Sequence, residues 1–243
     1  MKGRLLELTA PDPYSNLALE EALFIETKTP TLRVWENQRS VVIGRGQLAA
    51  YETDVGYCNS HSVPVARRFT AGGAVYNGPG NVNWSFFIPS GGGAYGGAKG
   101  IFAAFARVVV GALAQCGVSC EFTPPNGISV PLGKVCGMAA YIARDSLLCH
   151  GTLLCSADVA EVERLTKPMG LSLPRRYPRS RFVRVANCGV HPARFVKELS
   201  SASPFRVEDG SLTSEERIRA DSLQAKYRSS GWNLGDPFAR DDF

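Results

Sequence analysis

Arg67, Arg68, Gly72 and Gly73 are the residues whose types and spacing first suggest chemistry, and they sit in the stretch VARRFTAGGAVYNGPGNVNWSFFIP that runs from Val65 to Pro89. Backbone without side chains at Gly72 and Gly73 can approach an anion closely and turn its N–H groups inward. An arginine just upstream can reach the same anion through charge-assisted hydrogen bonds. The chemistry would be the cradling of a phosphate or carboxylate between two strands. An ordinary glycine-rich hairpin has the same spacing, so both readings stand on these residues alone. Within the stretch there is no GK[ST] and no GxGxxG, so it is neither a Walker loop nor a dinucleotide fingerprint.

Other candidates are weaker. Gly44-Arg45-Gly46-Gln47 puts an arginine and a glutamine at a glycine-flanked strand end, which suits ligand contact or a plain surface turn. Arg175, Arg176, Arg179, Arg181 and Arg184, interrupted by Pro174 and Pro178, read as a solvated loop or as a docking surface for an acidic protein or phosphate. The seven cysteines are odd in number and form no CxxC pair, which argues against a disulfide framework and a zinc site. They read as reduced thiols in a cytosolic compartment, mostly small core residues, with Cys188 set apart for its surroundings. The three histidines, His61, His150 and His191, are far apart.

The elements that must position these groups follow from pattern. With 243 residues, 44% hydrophobic and 20% charged, the chain suits an ordinary soluble globular protein. No run approaches a membrane span, and the acid at Glu7 comes too early for a signal peptide. A net charge of +5 is too mild to imply nucleic acid. Residues 4 to 8 suggest an edge strand, and Ser15 or Asn16 can cap a helix through about Glu26. Leu32–Trp35 and Ser40–Gly44 read as paired strands around an Asn37-Gln-Arg turn. Ser90 to Gly97 is a flexible connector or a lid. Ile101, Phe105, Val108, Val109, Ala112 and Leu113 recur at helical spacing up to Cys116-Gly117. Extended segments follow at Val118–Phe122, Ile128–Val130, Lys134–Arg144 and Leu147–Cys155, then a short helix at Asp158–Leu165. Val183–Val190 reads as a strand, a helix starts near Pro192, and Phe205–Glu208 reads as a last strand. Thr213 and Glu216 form a capping box for a helix to about Tyr227. The expected class is α+β with a mixed or largely antiparallel sheet flanked by helices.

Six motifs in order, covering nearly the whole chain, resemble those of the lipoate–protein ligase family within the wider biotin/lipoate ligase group. They are Trp35-Glu-Asn-Gln-Arg-Ser-Val-Val-Ile-Gly-Arg-Gly-Gln47, Arg67-Arg-Phe-Thr-Ala-Gly-Gly-Ala-Val-Tyr76, Lys134-Val-Cys-Gly-Met-Ala139, His150-Gly-Thr-Leu-Leu154, Arg184-Val-Ala-Asn187 and Lys226-Tyr-Arg-Ser-Ser-Gly-Trp-Asn-Leu-Gly235. The resemblance implies a catalytic domain of the class II aminoacyl-tRNA synthetase-like type. It also implies a two-step reaction: lipoate and MgATP give lipoyl-AMP and pyrophosphate, then the acyl group passes to a lysine of a lipoyl domain, in acyltransferase subunits of 2-oxoacid dehydrogenases or the glycine cleavage H protein. By the same resemblance Lys134 and Arg68 are catalytic. ATP and lipoyl-AMP would contact Arg68, Thr70, Gly72, Gly73, Ala74, Val75, Tyr76, Asn77, Asn126 and Lys134. The lipoate chain would contact Trp35, Val42, Gly44, Arg45, Gly137, Ala139, His150 and Gly151. The implied partners are lipoyl-domain acceptors and a separate small accessory polypeptide, with no nucleic acid and no membrane.

There are departures. The family usually has an Asn-Asp pair before the key lysine, and here the run is Pro125-Asn126-Gly127, so the acid is missing and the hold on adenine and Mg²⁺ is unspecified. Ala71 replaces a common third glycine, and Asn77-Gly78 replaces a common His-Asp. Single-chain members often add a small domain after the Trp-Asn motif, whereas this chain ends soon after Gly235. Residues 1–243 are therefore expected to be one catalytic domain whose accessory domain is a separate polypeptide. The alternative is an octanoyl or lipoyl transferase acting through a Cys188 thioester without ATP, since Gly78-Pro-Gly80 and Asn187-Cys-Gly189 resemble transferase motifs. A third reading is a non-catalytic binder of lipoate or nucleic acid.

Overall fold

The computed structural model describes residues 1–91, 93–144, 146–170, 172 and 174–239. One part of the Ser90–Gly97 connector, Gly92, lies outside the described residues. The strands are β1 (Lys2–Glu7), β2 (Thr31–Trp35), β3 (Ser40–Ile43), β4 (Val65–Arg67), β5 (Val75–Asn77), β6 (Asn81–Ile88), β7 (Glu121–Thr123), β8 (Gly127–Val130), β9 (Gly133–Ala143), β10 (Ser146–Leu154) and β11 (Arg206–Asp209). The helices are α1 (Pro13–Glu26), α2 (Ala49–Glu52), α3 (Val55–Ser60), α4 (Ala98–Gln115), α5 (Val159–Thr166), α6 (Pro192–Ser201), α7 (Ser214–Arg228) and α8 (Ser230–Leu234). Eight strands form one sheet in the order β11-β1-β2-β6-β10-β9-β8-β7, and three form a second in the order β4-β3-β5. In the large sheet β1 runs parallel to β11 and β2 and every other pair is antiparallel. This is the expected α+β class.

Period-two alternation decides what each face of the large sheet carries. On β6, Val82, Trp84, Phe86 and Ile88 point to one side, and on β10 so do Leu147, Cys149 and Leu153. Helices α4 and α6 cover that side with Ile101, Phe105, Val109, Leu113, Phe195 and Leu199. The alternate residues Asn83, Ser85 and Phe87 of β6, with Leu148, His150 and Thr152 of β10, face the other way. There α1 packs Leu19 and Leu23 against Phe87 and Leu148, beside Phe69. Polar side chains are thus delivered to the α1 side by the same strands that build the core on the α4 side. Helix α4 is long and apolar enough to cross a membrane by length and composition, and its apolar face is spent on this core.

Helix α7 lies along α1, with ion pairs Asp12–Arg228, Glu21–Lys226 and Glu26–Arg219, each at 2.7 Å. Its start is the expected capping box of Thr213 and Glu216. The small sheet packs Val41, Ile43, Val65 and Tyr76 against Val162 and Leu165 of α5.

Three sequence expectations need correction. Strands β2 and β3 do not pair: β2 has β1 and β6 as neighbours and β3 has β4 and β5. The intervening turn is held instead against α1, where Asn37 Oδ1 accepts a 2.7 Å bond from Asn16 Nδ2. Consecutive strands pair often enough to make the hairpin a fair reading, but a buried polar anchor redirects the chain into a second sheet. Strand β1 is interior, and β11 is the edge. Residues 183–190 form no strand beyond a single bridge, Lys134 with Val185. The Asn187 side chain turns to bond both backbone groups of Ala157, and Gly189 adopts φ +71°, so the ladder stops.

Candidate active site

Where the small sheet meets the α1 side of the large one there is a cavity of about 510 Å³. Of the residues singled out by sequence, Trp35, Val42, Arg68, Gly73, Ala74, Val75, Asn77, Asn126, Lys134, Gly137, Ala139, His150 and Gly151 line it. Thr70, Gly72, Gly44, Arg45 and Tyr76 do not. Thr70 is buried behind the wall, between Arg68 and His150. Gly72 has φ +108°, and a Cβ there would lie 2.7 Å from an Arg68 nitrogen, so only glycine suits the bend. Gly44 and Arg45 buttress the bend from outside: Gly44 N donates to Gln47 Oε1 at 2.8 Å and Arg45 N to Thr70 O at 2.9 Å. Tyr76 turns away and donates its hydroxyl to Glu161 at 2.8 Å.

Lys134 enters the cavity from the start of β9. Its backbone is fixed by the segment after the arginine run: Lys134 N donates to Arg184 O at 2.9 Å, and Ala186 N donates to Lys134 O at 3.0 Å. Its side chain lies in a trough floored by two glycines. A Cβ on Gly127 would meet Lys134 Cε at 3.2 Å, and one on Gly137 would meet both Cε and Nζ at 3.4 Å. Thus the space left at Gly127 is used by the lysine. Among the described residues no acid pairs with this amine, and burial pushes it below the ordinary lysine value. A desolvated cation without a counter-ion has the most to gain from an anionic ligand. Gly127→Ala, whose Cβ would lie 3.1 Å from Thr123 O and 3.2 Å from Lys134 Cε, is expected to lower activity by ~10–100-fold through displacement of the amine. The melting temperature should barely change, and a variant with parental turnover would show the trough to be irrelevant.

The two arginines divide their work. Arg67 is fully buried, and its guanidinium donates to the carbonyls of Gly44, Arg45, Gln47, Trp232, Asn233 and Gly235. It fastens the α8 segment to the loop after β3 and does not line the cavity. Arg68 lines it, but its donors hold the bend itself: Nη2 reaches Ala71 O and Gly73 O at 2.9 Å, and Nε reaches Thr70 Oγ1 at 3.2 Å. Burial pushes its guanidinium down to about 10, with Glu20 and Glu52 acting in the opposite direction. Arg68 therefore shapes the glycine loop. A loop N–H is already engaged as well: Ala74 N donates to Ser180 Oγ at 2.8 Å, and Gln47 Nε2 donates to the same oxygen at 3.1 Å. So the arginine segment is not a free solvated loop. Arg179, Ser180 and Arg181 form one wall of the cavity.

On the opposite wall, His150 Nδ1 is 2.9 Å from Glu20 Oε1, which also accepts from Ser85 Oγ at 2.6 Å, and His150 Nε2 is 2.9 Å from Thr70 Oγ1. Because Thr70 Oγ1 accepts from Arg68, its hydroxyl proton is free to go to Nε2, leaving Nδ1–H for the carboxylate. Burial acts to raise the Glu20 carboxyl, yet the His150, Ser85 and Arg33 contacts hold it below its usual value. The network Ser85–Glu20–His150–Thr70–Arg68 joins β6, α1, β10 and the glycine loop in one rigid wall. Trp35 also lines the cavity, and its indole N–H is buried without a partner among the described residues.

Sequence reasoning missed Glu20, Asn83, Thr152 and Ser180. Glu20 carried a signal: it falls on the same helical face as Asn16, Leu19 and Leu23, where an acid must find a buried partner. Asn126 is less available than expected, since its Nδ2 donates to Met138 O at 2.6 Å. Cys188 lines neither this cavity nor the smaller one beside it, so the thioester reading has no geometry here. Among the described residues no His, Cys, Asp or Glu group could hold a metal, and the lining carboxylate, Glu20, is engaged. The donor set does not fit a protein-bound Mg²⁺.

The chain is similar to known proteins along its length. It is 29% identical to lipoate–protein ligase 1 of Staphylococcus aureus over 92% of its own residues and 70% of that protein. It superposes on a chain from a structural study of a bi-partite lipoate protein ligase and its E2 lipoyl domain from Thermoplasma acidophilum, at TM-score 0.84 and 27% identity over 97% of each chain. A T. acidophilum ligase structure with bound lipoic acid gives 0.84 and 26% over 97% of this chain and 100% of that one. A lipoate-protein ligase A bound with ATP gives 0.82 and 26% over 97% and 99%. The sequence pattern of the Lipoyl protein ligase A/B catalytic domain matches residues 12–191, and the chain belongs to that family.

Proposed function

We propose that this chain is a lipoate–protein ligase that activates lipoate with ATP as lipoyl-AMP and transfers the lipoyl group to a lysine of a lipoyl domain. The observation that carries the reading is the desolvated Lys134 amine, without an acidic partner among the described residues, in one cavity with the Gly73–Val75 loop. In the first step the lipoate carboxylate attacks the α-phosphorus and pyrophosphate leaves, so negative charge grows on phosphoryl oxygens beside that amine. In the second, the acceptor amine attacks the carbonyl of the mixed anhydride, the same cation steadies the carbonyl oxygen, and AMP leaves as the amide forms and the amine gives up a proton. Such stabilisation acts most strongly where water is excluded. The apolar part of the wall, Leu17, Trp35, Val42 and Ala139, suits an alkyl chain. No step is assigned to Mg²⁺, which fits better as a companion of the nucleotide phosphates than as a ligand of these residues.

The acceptors are proposed to be lipoyl domains. A separate accessory polypeptide is proposed by analogy with the bi-partite neighbour. The test is to mix the chain with lipoate, ATP and an unmodified lipoyl domain, with and without such a polypeptide, and weigh the acceptor. A mass increase by one lipoyl group that depends on ATP is expected. Acylation from a lipoyl or octanoyl thioester without ATP, lost in Cys188→Ser, would make the chain a transferase instead.

A further inference from the structure

Cys188 was the cysteine that sequence set apart, and the cavity does not use it. It sits instead beside Cys155, the residue that follows β10. Their backbones are joined by two hydrogen bonds, Cys188 N to Leu154 O at 2.8 Å and Gly189 N to Cys155 O at 3.0 Å. Gly189, at φ +71°, then turns the chain out of this pairing. The two side chains are close enough to perturb one another's ionisation, and the Val190 N–H favours the charged form of the Cys188 sulfur. Cys155 is fully buried and Cys188 is partly exposed, so Cys188 is the residue of the pair nearer to solvent.

We infer that Cys155 and Cys188 form a reversible oxidation site, a dithiol that a hydroperoxide closes to a disulfide and a dithiol reductant reopens. The Cys188 sulfur attacks the peroxide. An S–O bond forms as O–O breaks, sulfur gives up two electrons, and the other oxygen leaves as hydroxide or water. The Cys155 sulfur then attacks the sulfenic sulfur, the S–S bond forms, and the hydroxyl departs with the Cys155 proton as water. Reduction by thiol–disulfide exchange returns both thiols.

The surroundings favour Cys188 as the attacking sulfur. The Cys155 thiol, together with the N–H groups of Val190 and of Cys188 itself, brings it down to about 7 although burial works the other way. Cys155 is pushed up by its bond to Cys188 and by burial. The neighbouring thiols of Cys116, Cys120 and Cys136 are likewise raised by burial. Closing the pair would fasten the 184–190 segment, which carries the backbone bonds to Lys134, to the end of β10.

The test treats the full-length chain with hydrogen peroxide, blocks remaining thiols under denaturing conditions and maps the peptides by mass without reductant. The expected result is a Cys155–Cys188 linkage with the other cysteines alkylated, reversed by dithiothreitol. Cys155→Ser should instead trap a dimedone adduct at Cys188. Before oxidation, native alkylation at Cys188 should outpace that at buried Cys58 by at least ~10-fold. A linkage to Cys120 or Cys136, a wild-type Cys188 that stops at sulfinic acid, or two thiols still alkylated after peroxide would each overturn the site. The readout is chemical, so failure of the ligase reading would leave it standing, and the converse also holds.

Discussion

Lys134→Met is expected to lower lipoate-dependent ATP–pyrophosphate exchange by ~10²–10³-fold, the cost typical of removing one donor to developing negative charge. Methionine keeps most of the stem that fills the trough over Gly127 and Gly137, so the change removes charge and little volume. The native environment lowers the lysine's affinity for its proton. A folded-state value below the unfolded one means that carrying the charge works against folding. That cost is present below the folded value and fades as pH rises toward the unfolded one. Replacement by methionine should therefore leave the melting temperature equal or higher while activity collapses. Lys134→Arg should not restore activity, because a planar fork cannot lie in a slot floored by two α-carbons. Exchange at near-parental rate with a well-folded Met variant would remove Lys134 from the chemistry and, with it, the main support for the adenylation reading.

Arg67→Met should have its largest effect on stability rather than on the chemical step. Six backbone carbonyls converge on this guanidinium, from residues 44 to 47 on one side and 232 to 235 on the other. Hydrogen bonds to a charged donor contribute more than neutral ones, and carbonyls left dry lose that contribution outright. A loss of at least ~3 kcal/mol is expected, which for a chain of this size is a fall in melting temperature of roughly 6–12 °C. Asn233→Ala removes a neutral neighbour that accepts from Arg67 N at 2.9 Å and should cost less. A change below about 1 kcal/mol for Arg67→Met, measured by denaturant titration, would mean that water replaces the guanidinium at these carbonyls and that the fastening is dispensable.

Much of this was legible because it was local. The periodicity of α4, the capping box of α7 and the extended run of β10 each depend on residues a few places apart, and each was found where expected. The motifs around Lys134 and His150 also meet at one cavity. What failed was pairing at a distance. Nothing near Trp35 or Ser40 announces that Asn37 will be caught by Asn16, and that capture sends β3 into another sheet. Nor does a proline-broken arginine run reveal that its one serine will cap the N–H of Ala74. Glu20 was missed for a different reason: helix patterns were read for their apolar members, while the informative residue on that face was the acid.

The order of the large sheet has a consequence for how the polypeptide matures. Residues 2–7 lie between β2 and β11, which pairs Lys2 with Arg206, and the first helix is clasped by the seventh. A nascent chain leaving the ribosome therefore exposes its opening strand on one side until residues past 209 emerge, and Arg67 stays without half its carbonyls until residue 235 is free. Completion of the native state therefore waits for these late residues, and in that interval the uncovered strand edge is the surface a chaperone would have to shield.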